Sequence, residues 1–253
     1  MIPKIIHYTW FSGEEMPQML KDCMASWKRN LRGYEFRLWD KDAIRDLDSA
    51  FLKQALENKK WAFAADYVRL YAIYNYGGIY LDTDVEVLMP FDDFLDNRTM
   101  IGWQDRCNGL EVAAFGAEKG QSWVRDCLAY YQGRSFVRED GSFDKKLLPN
   151  IVEETLCGRG YVLEKVETLN AYQEKAGKTI QVFSSDFFSP KSYEDGKIRL
   201  TSNTRCIHHF AGSWQSKPEI ILAKIQAAFN KLGIKGTGLS EKIRKLFDRK
   251  ITN

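Results

Sequence analysis

The stretch from Trp61 to Val85 constrains this chain more than any other. Trp61 to Tyr76 consists of good helix formers and is apolar nearly all round, so it reads as a largely buried helix, and Gly77-Gly78 stands where a helix C-cap belongs. The residues that follow, Ile79-Tyr80-Leu81, read as a short apolar strand that runs out into Asp82-Thr83-Asp84. Side chains alternate along a strand, so Asp82 and Asp84 point the same way where the apolar run ends. Mg²⁺ and Mn²⁺ want oxygen ligands and typically take one or two carboxylates, with phosphate oxygens and water completing the shell. The pair is therefore a candidate metal site that implies a phosphate-bearing ligand. A bare D-x-D is also a common turn, so its surroundings must decide between the two.

Upstream, the helix carries one Asp and one Arg. Asp66 and Arg69 are three residues apart and share a helix face. As an exposed ion pair they would contribute a few tenths of a kcal/mol, but their neighbours Phe63, Ala65, Val68, Leu70, Tyr71 and Ile73 are apolar. Charges desolvated there need partners or a polar pocket. The expectation is a ligand-facing pair beside the metal strand; a structural buried ion pair is the alternative.

The pattern A-x-D-x-x-R-x-x-x-[apolar]-x-x-x-G-G-x-Y-x-D-x-D, held between Phe63 and Val85, resembles the central signature of glycosyltransferase family 32, which includes bacterial capsular polysaccharide transferases and fungal α-mannosyltransferases. It is also similar to the glucosylating domain of the large clostridial toxins. The resemblance implies an α/β fold of the glycosyltransferase-A type. It also implies that Asp66 and Arg69 bind hydroxyls of the donor sugar, that Tyr80 and Asp82 contact the nucleoside, and that Asp84 binds metal.

Two further segments agree with that resemblance. Ile2 to Thr9 reads as a β-branched strand running through Trp10 to a turn at Gly13. It looks like the family's first strand, where an aromatic packs on the nucleotide base. Trp10 is such an aromatic, with Thr9 beside it; a core role for Trp10 fits the residues equally well, and His7 reads as a core or supporting residue. Near the other end, Arg205 to Trp214 resembles elements that close donor sites in retaining transferases of this fold. Carried over, His209 becomes the third metal ligand, which favours Mn²⁺ over Mg²⁺, and Ser213 and Trp214 meet the diphosphate. Between Asn108 and Lys191 the resemblance is weaker, and Asn108 is the one residue named there as sugar-facing.

The rest of the chain permits this reading. Its 253 residues suffice for one α/β domain. The five cysteines lie far apart without a C-x-x-C, which argues for free thiols in a reducing compartment. Three histidines are too few for a zinc site of several His ligands. The start reads straight into a strand, so no signal peptide is expected, and the charges in the most apolar helix argue against a membrane span. Predicted strands cover Lys4 to Thr9, Glu35 to Trp39, Ile79 to Leu81, Val85 to Leu88, Met100 to Gly102 and Val112 to Phe115. Predicted helices cover Gln18 to Asn30, Phe51 to Asn58, Phe63 to Tyr76, Ser122 to Tyr131 and Leu148 to Cys157. Such alternation gives an open α/β sheet with ligands at the carboxyl ends of its strands.

The sequence divides into a catalytic region, 1–214, and a tail, 215–253. The tail holds nine basic and three acidic residues, a net of +6 in a chain whose total is +3, so the remainder carries −3. Its apolar residues recur at helical spacing on both sides of Gly236-Thr237-Gly238, predicting two basic amphipathic helices. These suit an anionic lipid surface, or equally a docked face on the core. Nucleic acid is a poorer partner, since the larger part is acidic and no recognition motif is present.

With the resemblance, which implies retention of configuration, these features point to a metal-dependent transferase that moves a hexose from a nucleoside-diphosphate sugar, uridine diphosphate first and guanosine diphosphate mannose second, to a glycan or lipid-linked acceptor in surface polysaccharide synthesis. The expected location is the cytoplasm, with peripheral contact at the inner face of the plasma membrane. One alternative is a phosphohydrolase of the haloacid dehalogenase type with Asp82 as nucleophile, which Leu81 to Val85 fits but its place in the chain does not. The other is a catalytically silent sugar-nucleotide-binding subunit.

Overall fold

The structure is a computed structural model that describes residues 1–104, 109–192 and 195–211. Asn108, Ser213, Trp214 and the tail 215–253 lie outside the described residues. The order of elements is β1 (Ile5–Thr9), α1 (Gln18–Asn30), β2 (Glu35–Trp39), α2 (Ala50–Glu57), α3 (Trp61–Tyr76), β3 (Gly78–Leu81), β4 (Val85–Val87), β5 (Thr99–Trp103), β6 (Leu110–Ala117), α4 (Ser122–Leu128), α5 (Leu148–Gly158), β7 (Val162–Val166), β8 (Thr179–Phe183) and β9 (Cys206–His208). Seven strands form one mixed sheet in the order β2-β1-β3-β6-β5-β8-β7, and β4 with β9 forms a separate two-stranded ribbon. β1 runs parallel to both β2 and β3, β6 lies antiparallel between β3 and β5, and β8 is parallel to β5 and β7.

Each face of the sheet has its own core. On one, Phe51, Val68, Ile73, Tyr80, Phe115, Trp123 and Val152 bring α2 to α5 against the strands. On the other, Trp27, Ile79, Leu81, Val85, Phe94, Phe183 and Phe188 pack beneath α1 and the ribbon. α1 is tied to β4 by polar contacts: Trp27 Nε1 donates to the Val85 carbonyl at 2.6 Å, and Asn30 Nδ2 to that of Val87 at 2.7 Å.

The predicted elements are present with small shifts at their ends, save that α4 stops at Leu128 and a 3-10 turn covers Ala129–Tyr131. Three strands were not predicted. β7 and β9 are short, and β7 lies at the sheet edge with a mixed, partly exposed pattern, so neither gives a clear period-two signal. β8 is more regular but shares only its parallel partners' context, which is not readable locally.

Candidate active site

The turn from α3 into β3 sets the site. Gly77 has φ +68° and Gly78 φ +108°, where a side chain is strained, and a Cβ on Gly78 would meet the Ile5 carbonyl at 2.6 Å. His7, wholly buried on β1, secures this turn. Trp39 Nε1 donates to His7 Nδ1 at 3.1 Å, so the ring proton is on Nε2, which donates to the Gly77 carbonyl at 2.8 Å. Burial holds the imidazole down at about 4, and the neutral ring is what both bonds require.

β3 then delivers Tyr80 and Asp82 to the face occupied by α3. Arg69 Nη2 lies 3.2 Å from Asp66 Oδ1 and 3.1 Å from Asp82 Oδ1, while Nη1 donates to Asp82 Oδ2 at 3.2 Å and to the Val112 carbonyl at 2.7 Å. The guanidinium also stands 4.6 Å over the Tyr80 ring. The Tyr80 hydroxyl donates to Asp82 Oδ1 at 3.0 Å and takes a bond from Thr9 Oγ1 at 3.1 Å. Burial pushes Asp66 up to about 7 against the pull of Arg69, and it raises Asp82 as well. Arg69 is 5 % exposed and its Nε has no partner among the described residues. The predicted quartet of Asp66, Arg69, Tyr80 and Asp82 is thus one network, buried at Asp66, Arg69 and Tyr80 and half-buried at Asp82, with Thr9 at its rim.

Asp84 begins the ribbon. Its Oδ2 accepts the Ala211 N–H at 2.7 Å, and its carbonyl accepts from His209 N at 3.1 Å. Phe210, at φ +54°, makes the turn that returns Ala211 to this carboxylate. Pairing of Val85 with His208 across β4 and β9 brings His208 Nε2 within 3.6 Å of Asp84 Oδ2. Asp82, Asp84 and His208 each offer a ligand atom within 4.8 Å of the others. Where His209 was the expected third ligand, His208 faces the acidic pair and His209 turns away. His209 follows the end of β9; its Nε2 meets Glu86 at 2.9 Å and it lines a pocket of about 380 Å³ with Met19, Asp22 and Cys23 of α1. Two oxygens and an imidazole make a donor set that Mn²⁺ accepts.

Glu111, on β6, was not singled out in the sequence. It is wholly buried, its Oε1 accepts the Ala113 N–H at 2.7 Å, and its Oε2 lies 3.3 Å from His208 Nδ1. Burial works against charge on both, yet each holds the other ionised: His208 is pushed up to about 9, with help from Asp84 and Asp82, and Glu111 is held below its ordinary value. The signal available was one carboxylate in the otherwise uncharged run Leu110-Glu111-Val112-Ala113-Ala114-Phe115-Gly116-Ala117. Trp10, at the end of β1, is half-buried, and its Nε1 donates to the Glu14 carbonyl at 3.1 Å.

Residues 17–101 match the family described as glycosyltransferase sugar-binding region containing DXD motif. The match includes Asp66, Arg69, Tyr80, Asp82 and Asp84 but ends before Glu111 and His208. An uncharacterised glycosyltransferase of Acanthamoeba polyphaga mimivirus is 36% identical over 38% of this chain and 40% of its own length. Inositol phosphoceramide mannosyltransferase 3 of Schizosaccharomyces pombe is 36% identical over 49% of this chain and 35% of its own. The chain thus spans two fifths or less of these relatives. A solved structure titled PaToxG glycosyltransferase is 18% identical, covers 63% of this chain and 69% of its own, and superposes with a TM-score of 0.46. Across residues 17–101 the chain is thus similar to glycosyltransferases with a D-x-D sugar-binding region, and Asp66, Arg69, Tyr80, Asp82 and Asp84 lie within that match.

Proposed function

We propose that the chain moves a hexose from a nucleoside-diphosphate sugar to a hydroxyl of a glycan or lipid-linked acceptor, with retention of configuration and with Mn²⁺, or Mg²⁺, at Asp82, Asp84 and His208. The observation that carries this reading is the convergence of those three side chains beside the Asp66–Arg69 network. When bound, the cation would neutralise charge on the leaving diphosphate. The protein's own part is to hold the partners still. Arg69 fixes both oxygens of Asp82, Asp66 and Tyr80 keep that guanidinium in place, and Trp10 offers an indole face to the base. Retention rests on the family resemblance, so no nucleophile is assigned. Asp82, whose oxygens are engaged by Arg69 and Tyr80, is poorly placed to be phosphorylated.

The name of the Schizosaccharomyces pombe relative, inositol phosphoceramide mannosyltransferase 3, supports mannose as one candidate hexose and a lipid-linked inositol as one candidate acceptor. Uridine diphosphate hexoses and guanosine diphosphate mannose, each tested with Mn²⁺ and Mg²⁺ for release of nucleoside diphosphate, decide the donor. Release of free phosphate from phosphoesters, with no sugar nucleotide consumed, would instead support the phosphohydrolase.

A further inference from the structure

β6 is buried along its whole length, and Glu111 is its one charged residue. A lone carboxylate at zero exposure costs several kcal/mol unless it is fully bonded, and a well-packed apolar side chain at such a place is often as stable or more so. Stability alone therefore does not account for Glu111. Its bonds join different parts of the fold: one oxygen takes the N–H of Ala113 within β6, the other meets His208 on the ribbon, and Ser189 also helps to hold the charge. The Ala113 carbonyl in turn accepts from the backbone N of Asp82, so the segment that anchors Glu111 also anchors the first D-x-D carboxylate.

We propose that Glu111 is the positioning residue for His208: its carboxylate keeps a proton on Nδ1 and turns Nε2 toward Asp82 and Asp84, where a divalent cation takes the place of the Nε2 proton. A carboxylate is only an acceptor here, so Nδ1 must donate, and Nε2 is the nitrogen that lies 3.6 Å from Asp84 Oδ2. A buried carboxylate behind an imidazole fixes its tautomer, orients its ring and makes it a stronger ligand, and loss of such a partner typically lowers metal affinity by about 10- to 100-fold. The inference rests on the reading of Asp82, Asp84 and His208 as a cation site.

The test is Mn²⁺ binding to the full chain, alone and with uridine diphosphate, followed by the electron paramagnetic resonance of free Mn²⁺. In Glu111→Gln the amide keeps an acceptor for Ala113 but offers Nδ1 a donor, which moves the ring proton to Nε2. Affinity should fall about 10- to 100-fold, measured at a temperature where circular dichroism shows the metal-free variant folded. His208→Ala should lose as much, and adding Glu111→Gln to it should cost nothing more, because the two act as a unit. Wild-type affinity in Glu111→Gln, or losses that add in the double variant, would overturn the role of Glu111 and leave the cation site standing. No Mn²⁺ uptake by the wild type would overturn the site itself, and the proposal with it. Should Glu111→Gln not fold, ¹⁵N-histidine spectra of the wild type with diamagnetic Zn²⁺ decide: Nδ1–H with a metal-shifted Nε2 is expected, and Nε2–H with Zn²⁺ present overturns it.

Discussion

At the scale of single residues, charge identity and side-chain shape have separable roles. Asp84 faces His208 and takes the Ala211 N–H, so Asp84→Asn keeps its size while removing the negative charge a cation needs. Metal-dependent sugar-nucleotide turnover should drop roughly a hundredfold or more, with little change in circular dichroism. Near-wild-type turnover at saturating Mn²⁺ would remove the metal assignment. Arg69→Lys keeps the charge but loses the planar fork that now holds Asp66, Asp82 and the Val112 carbonyl together. Transfer should fall by about 10- to 100-fold while affinity for the bare nucleoside diphosphate falls much less. Equal losses in both, alongside a drop in melting temperature, would mark Arg69 as structural. That Asp66 and Arg69 need partners was legible in the sequence, because an ion pair inside an apolar helix is desolvated. The choice between His208 and His209 was not, because it depends on which strand pairs with β4.

At the scale of elements, the α3–β3 turn carries the site and His7 carries the turn. His7 has a folded value of about 4 against an ordinary 6.5, set by burial. Between these values the unfolded chain takes up a proton that the folded chain refuses, so stability is full above about pH 6.5 and falls as pH drops toward 4. The 2.5-unit separation corresponds to about 3 kcal/mol, fully lost only below the folded value. His7→Gln offers one acceptor and one donor without a titrating group. The difference in unfolding free energy between wild type and this variant, measured with denaturant from pH 7 to 4, should therefore narrow or reverse as pH falls. A constant difference would show that His7 does not titrate in this range. Gly78→Ala, at φ +108° and against the Ile5 carbonyl, should destabilise by about 1 to 3 kcal/mol in the same assay. Helix α3 and strand β3 were readable from period and capping, whereas β9 was not, since a three-residue strand has too few residues to display one.

At the scale of the whole molecule, the sheet and the ribbon together assemble one site from segments far apart in sequence. Among the described residues no helix is long and apolar enough to cross a membrane. The expected contact with anionic lipid rests on the +6 charge and apolar spacing of residues 215–253. The full chain should float with anionic liposomes at low salt and less so at high salt, because the surface potential is screened within about 10 Å at 0.1 M. Indifference to anionic liposomes at low salt would sink that reading. Taken by itself, the sequence determined the local units: a buried helix, a glycine turn, an acid-tipped strand and the family they signal, all properties of near neighbours. Tertiary structure decided which distant groups join them. Glu111 lies 97 residues from His208, and His208 reaches Asp84 only through the antiparallel register of β4 and β9. Pairing of that range depends on how two sheets close around shared cores, and no local period records it.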